Sequence, residues 1–260
     1  MLAFADVLII SDLHLTPAHP KTAKRFMAFC EQQAREVKAL FIIGDLFEFW
    51  VGDDVHLQDA FYQEVAHKIH TLVQSGVPVF FIAGNRDFII GTEFHKRAGW
   101  QELSDPCLVE IGGQTWLLSH GDILCTADRP YQLLRWITRI PFMQWLYRQS
   151  PMSKRIQLSI TLKLRAQKKY QQREQYVSGM DQKSNVTLQA CGEVTKKFNC
   201  PRLIHGHTHL PDVHHEHLNG HEWTRWVLCD WDFDHPDMPN RANAFRINQK
   251  GLEIVDLSHL

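Results

Sequence analysis

The chain has 260 residues, 28 Lys and Arg against 29 Asp and Glu, and 44% hydrophobic side chains, enough for one large domain with or without an inserted subdomain. A formal net charge of −1 gives no footing for nucleic acid as a partner, and no stretch reaches the roughly 18 consecutive apolar residues of a membrane-spanning helix. The six cysteines (Cys30, Cys107, Cys125, Cys191, Cys200 and Cys229) contain no C-x-x-C pair, which argues against a disulfide framework or zinc ribbon and predicts buried free thiols in a reducing cytosol.

Met1–Asp6 lacks a basic segment and runs straight into a strand, so no cleaved signal peptide is expected. Val7–Ile10, Ala39–Ile43 and Val77–Ile82 are short apolar runs bounded by turn residues, the pattern of strands buried on both faces. Helical spacing falls between them, over Ala23–Val37 and Gln58–Ser75. Strand–helix alternation predicts α/β layering with a mostly parallel sheet. The later runs Thr115–Ser119, Arg202–His205, Trp226–Cys229, Ala244–Ile247 and Leu252–Val255 lie closer together and predict a second sheet, hence a two-sheet α/β sandwich.

Residues 123–189 break this rhythm. They are rich in aromatic and aliphatic side chains such as Tyr131, Leu133, Leu134, Trp136, Phe142 and Trp145. From Arg129 to Arg173 every ionised side chain is basic, including Arg135, Arg139, Arg148, Arg155, Lys168 and Lys169. This segment reads as an inserted helical lid, leaving 1–122 plus 190–260 as the core. The lid's stripe could line an apolar chamber, or pack on the core with a solvated basic face.

The chemistry is carried by five short blocks: Asp12-Leu13-His14, Gly44-Asp45, Gly84-Asn85-Arg86-Asp87, His120-Gly121-Asp122 and His205-Gly206-His207-Thr208-His209. Nearly all follow predicted strands, and open α/β sheets bind ligands beyond their strands' carboxyl ends. Alone, a D-x-H or a G-D is an ordinary turn. Together they offer the carboxylate, amide and imidazole donors of two adjacent divalent cations. Two such ions about 3.5–4 Å apart activate water for in-line attack on phosphorus. His214, His215, His217 and His221 read as a polar turn region rather than a third metal site. His205 reads as a strand residue facing away, His19 as loop, and His56, His67, His70 and His95 as helix surface. Trp231–Asn240 carries several acids and has no assigned role.

The order D-x-H, G-D, G-N-x-[DE], H and G-H-x-H resembles the calcineurin-like metallophosphoesterases. The segments Gly44–Asp54 and Cys125–Arg135 resemble a narrower branch, the UDP-2,3-diacylglucosamine pyrophosphohydrolases of lipid A biosynthesis. The resemblance runs from Ile9 to Pro211. It implies one metal on Asp12, His14, Asp45 and His209 and another on Asp45, Asn85, His120 and His207, with manganese the usual ion. It also implies catalytic roles for Asp45, Asn85 and Arg86, substrate contact by Asn85, Arg86 and Asp128, and a peripheral place on the cytoplasmic face of the inner membrane. Lys168 and Lys169 are the lid cations best placed for diphosphate, and the others could meet anionic lipid. Arg86 stands where many relatives have His. A sugar phosphate needs no protonation to leave, so a guanidinium that neutralises diphosphate is the more useful group; the alternative is a structural pair with Asp87. The competing functions are a soluble phosphodiesterase or nucleotide hydrolase of other specificity, and a non-catalytic lipid-binding module.

Overall fold

The computed structural model of the protein describes residues 1–158, 160–161 and 185–259. Apolar runs without alternation form the centre of one sheet, because both of its faces are covered. In β2 (Asp6–Ile10), Val7 and Ile9 point into the cluster between the sheets, whereas Leu8 and Ile10 point to the helices outside. All five residues of β3 (Ala39–Ile43) and all four of β4 (Val79–Ile82) are buried for the same reason. Each such side chain contributes about 1.5–3 kcal/mol, and Phe41 stacks on Phe80 at 4.9 Å. Helices α1 (Pro20–Glu31), α3 (Ala60–Gln74), which follows the short α2 (Asp53–His56), and α4 (Thr92–Ala98) cover the outer face.

The strands β1 (Leu2–Phe4), β5 (Gln101–Leu103), β6 (Cys107–Ile111), β7 (Gln114–Ser119), β8 (Arg202–His205), β9 (Val213–Leu218), β10 (His221–Val227), β11 (Asn243–Asn248) and β12 (Gly251–Asp256) complete two six-stranded sheets. Their orders are β1-β6-β7-β8-β10-β9 and β12-β11-β2-β3-β4-β5. Both are mixed, and the helix Leu188–Lys197 packs outside the first of them. The sandwich therefore has the expected two sheets, with one reassignment. Ala244–Ile247 and Leu252–Val255 belong to the sheet of β2, where β11 pairs antiparallel with β2 and places Phe245 opposite Ile9.

Three other local readings change. The histidine-rich run after the last motif is strand β9, paired along its length with β10. His56 stacks on Trp50 at 4.4 Å, and His95 accepts a hydrogen bond from the Trp100 indole, so neither is plain helix surface. The segment Trp231–Asn240 acquires a structural task. Asp234 accepts from Lys21 N (3.1 Å), Thr22 N (2.9 Å) and Thr22 Oγ1 (2.8 Å). It caps α1 from across the chain, where the preceding His19 makes no side-chain cap.

Within 123–189 the described residues form α5 (Arg129–Thr138) and α6 (Pro141–Gln149), with further helix over 152–158. Their basic side chains mostly hold them to the core. Arg135 Nε donates to Asp122 (2.7 Å), Arg139 Nη2 to Gly84 O (2.7 Å), and Arg155 to Asp54 and to Val51 O (2.9 Å). Arg155 is 3% exposed, so it is an internal anchor rather than a surface cation. The apolar side chains do the opposite: Trp136 is 65% and Phe142 64% exposed. No helix among the described residues is long and apolar enough to cross a membrane.

Candidate metal centre

Parallel pairing aligns the carboxyl ends that carry the motifs. Ile10 pairs with Ile42, Ile43 with Ile82, and Ser119 with His205. Backbone bonds then stitch the loops together: Asp12 N to Gly44 O (3.1 Å), His14 N to Asp45 O (3.0 Å), and Gly206 N to His120 O (3.0 Å). These loops are strained. Among the described residues seven non-glycines have φ between 48° and 66°, and five of them are Asp12, His14, Asp45, His207 and His209. The other two are asparagines, which tolerate that region. An Asp or His there costs about 1–3 kcal/mol, so these turns serve the side chains they aim rather than stability.

The aim produces two clusters. Asp12, His14 and His209 offer ligand atoms within 4.8 Å of one another, and so do Asp45, His120 and His207. Asn85 joins the second, its Oδ1 3.0 Å from His120 Nε2. His14 Nε2 faces His209 Nε2 at 3.2 Å, and His209 Nε2 lies 3.3 Å from Asp12 Oδ1. Two motif glycines permit this crowding. A Cβ on Gly84 would stand 2.1 Å from Asp45 Oδ1, and one on Gly206 would stand 2.1 Å from Asp12 Oδ2.

The donor set fits divalent cations. Three imidazoles turn Nδ1 to an oxygen and keep Nε2 for the site: His120 toward Ile43 O (3.1 Å), His14 toward Glu48 (3.6 Å) and His209 toward Asp230 (3.6 Å). The His120 contact is a hydrogen bond of the kind that fixes tautomer and ring orientation in metal sites, whereas the two carboxylates face their rings at 3.6 Å, within ion-pair range. The buried charges of the centre act strongly on one another. Burial opposes the His120 imidazolium, yet Asp45, Asp12, Asp122 and Asp105 push it up to about 9. Burial, then Asp45, raises Asp87. Burial, then His120, drives His207 down to about 3. A pair of dications is the charge that lets these acids ionise and these imidazoles stay neutral.

Several residues that sequence reasoning passed over complete the centre. Glu48, inside a motif segment but without an assigned role, receives Arg86 Nη1 at 2.8 Å. Arg86 Nε lies 3.4 Å from Asp45 Oδ2. The structural partners of Arg86 are thus Glu48 and Asp45, while Asp87 turns inward to accept from Gly84 N, Leu46 N and Phe47 N. Asp230 holds Arg241 through both oxygens (2.8 and 2.6 Å). Asp122 accepts from Tyr131 Oη (2.7 Å) and Arg135, which seats the root of α5 beside His207. Asp122 already stood in the His120-Gly121-Asp122 block, whereas Asp230 and the Glu48 contacts are marked by the tertiary fold alone. Asp128 is the N-cap of α5, accepting from Tyr131 N at 3.1 Å. His205 is buried between Gly206 O and Arg225. Lys168 and Lys169 lie outside the described residues.

A two-sheet sandwich with two Asp/His clusters at its strand ends defines a metal-dependent phosphoesterase. Residues 5–211 match the calcineurin-like phosphoesterases, and the chain belongs to that family. It is 41% identical over 247 residues to a protein of Aeromonas hydrophila subsp. hydrophila named UDP-2,3-diacylglucosamine hydrolase, covering 95% of this chain and 99% of that one. It is 42% identical over 254 residues to one of the same name from Stenotrophomonas maltophilia, covering 96% and 98%. A solved vacuolar protein sorting 29 from Cryptosporidium parvum aligns with 97% of this chain and 92% of its own at 16% identity and a TM-score of 0.46, too loose a likeness to carry an argument.

Proposed function

We propose that the protein adds water to the uridine-linked phosphorus of UDP-2,3-diacylglucosamine, releasing UMP and 2,3-diacylglucosamine 1-phosphate for lipid A biosynthesis. What carries this reading is the pair of buried Asp/His clusters in a chain about 41% identical, over most of its length, to proteins named for that substrate. One cation would sit on Asp12, His14, Asp45 and His209, the other on Asp45, Asn85, His120 and His207, with Asp45 shared. Manganese is the ion we assign. Such a pair supplies water activation and charge neutralisation at phosphorus.

The chain's own groups do the rest. Arg86, clamped by Glu48 at the lip of the site, meets the diphosphate charge as its bond to the sugar phosphate lengthens. Asn85 and Asp128 orient the phosphates and the sugar, with Lys168 and Lys169 as further diphosphate contacts. The sugar phosphate leaves as a stable anion, so no proton donor is required where relatives carry His. The core 1–122 plus 190–260 holds the chemistry, and the lid 123–189 receives the acyl chains on the exposed apolar faces of α5 and α6. The same faces would rest on the cytoplasmic side of the inner membrane. Because Arg135, Arg139, Arg148 and Arg155 contact the core, attraction to anionic lipid falls to the remaining lid cations.

The test is manganese-supported UMP release from UDP-2,3-diacylglucosamine in detergent, beside UDP-N-acetylglucosamine and an aryl phosphodiester. Turnover of the diacyl substrate alone is expected. Turnover of only the aryl ester would keep the metal site and refute the lipid assignment. Lipid binding with no hydrolysis of any substrate would revive the non-catalytic alternative.

A further inference from the structure

A cavity of about 220 Å³ opens beside the first cluster, lined in part by His209, and extends over residues the mechanism above does not use. It is lined among others by Asp230, Asn240, Asn243, Asp256 and Ser258. We propose that this cavity holds the pyrimidine nucleoside end of the substrate and reads uracil, an inference that rests on the diphosphate reading of the metal centre.

Position is the first argument. The lid is rooted on the side of the second cluster: Arg139 reaches Gly84 O, next to Asn85, and the Tyr131 ring stacks beside His207 at 6.4 Å. The cavity instead borders the first cluster through His209 and the Asp230 behind it. A diphosphate laid across both clusters therefore has its acylated sugar on one side and its nucleoside on the other. Size agrees. The cavity is smaller than the roughly 300–1,000 Å³ clefts that take drug-sized ligands, and suits one pyrimidine ring with part of its ribose.

Hydrogen-bonding chemistry is the second argument. Asn243 and Asp256 are directly opposed across the β11–β12 ladder, so their side chains stand side by side on one face. Asn243 Oδ1 accepts from Cys229 N at 3.1 Å. That bond fixes the amide and leaves its NH2 as the donor. Asp256 accepts from Ser258 N at 2.8 Å and has lone pairs to spare. The resulting donor-then-acceptor edge matches the adjacent carbonyl and N3–H of uracil. Held in the same register, cytosine carries an acceptor at N3 and would set a lone pair against the carboxylate; its own matching edge, N3 beside N4–H, requires the ring to shift by one position. A second phosphate is disfavoured as well, because Arg241, the cation lining the cavity, is bound through both oxygens of Asp230.

The test is calorimetric binding to the manganese-loaded full chain, with UMP, CMP, ribose 5-phosphate and inorganic phosphate as probes. UMP is expected to bind at least 10-fold tighter than CMP or ribose 5-phosphate. Asp256→Asn keeps an acceptor for Ser258 N and sits on the surface, so it should fold. It is expected to bring UMP and CMP within about 3-fold of each other while leaving phosphate affinity unchanged. Equal binding of UMP, CMP and ribose 5-phosphate to the wild type overturns the proposal, and so does an Asp256→Asn variant that discriminates as the wild type does. UMP selectivity without cleavage of UDP-2,3-diacylglucosamine would support the cavity assignment and refute the lipid substrate, which separates the two ideas.

Discussion

Replacing Gly84 by alanine tests whether the packed backbone, and not the ligand side chains alone, creates the metal site. The new Cβ would lie 2.1 Å from Asp45 Oδ1, 2.3 Å from Asp45 N and 2.9 Å from Asp45 Cγ. Neither side can yield cheaply: Asp45 N is main chain, and Asp45 Oδ1 is held by Arg86 N at 2.9 Å. Overpacking of this kind costs about 1–3 kcal/mol, a loss the metal-free protein should show. The larger effect is on the ions, because the displaced carboxylate is the one assigned to both. Disturbing the support of a metal ligand lowers affinity by about 10–100-fold. With manganese at 1,000 times the wild-type Kd, binding stabilises the native state by about 4 kcal/mol, and a 100-fold weaker site by about 1.4 kcal/mol. At about 2–4 °C per kcal/mol for a chain of this size, the metal-induced rise in Tm falls from about 8–16 °C to about 3–6 °C. Scanning calorimetry with and without manganese measures both quantities. A lowered metal-free Tm with an unchanged metal-induced rise would refute the reasoning, since Asp45 would then be where the ion needs it.

Asp234→Ala removes the distant cap of α1 and should lower stability by about 1–2 kcal/mol while the metal-induced rise in Tm stays intact. Backbone and hydroxyl donors from α1 outweigh burial and hold the Asp234 carboxyl below its ordinary value. Its contribution is therefore full above about pH 4 and fades as pH falls below that, so the gap in urea midpoint between wild type and variant should narrow at pH 3. Arg86→Ala should reduce kcat/KM for the diacyl substrate by about 10²–10³-fold with little change in manganese affinity; equal loss of metal binding would assign Arg86 to holding Asp45 instead. Chelation by EDTA should abolish turnover and lower Tm together, and manganese should restore both. Trp136→Ala with Phe142→Ala, two side chains more than half exposed, should raise KM for long acyl chains and leave turnover of an aryl phosphodiester unchanged. An unaltered KM would remove these helices from substrate binding.

The sequence by itself determined the strands β2, β3 and β4, the α/β alternation and the motif blocks that supply the two candidate clusters. A strand buried on both faces announces itself in its own apolar run, and donor residues at its end are read from adjacent letters. Which strands share a sheet was a tertiary decision. Leu252–Val255 is as apolar and alternating as any strand, but its place two strands from β2 comes from β11 closing the chain back on β2. The same holds for partners set by long-range packing: Asp234 on α1, Asp230 behind His209, Glu48 between His14 and Arg86, and Arg155 against Asp54 and Val51 O. Each is a polar side chain that looks like surface until another segment buries it. Local pattern encodes local conformation and which face is hidden; what hides it, and which charge meets which, depends on distances of tens to hundreds of residues that only the folded chain brings together.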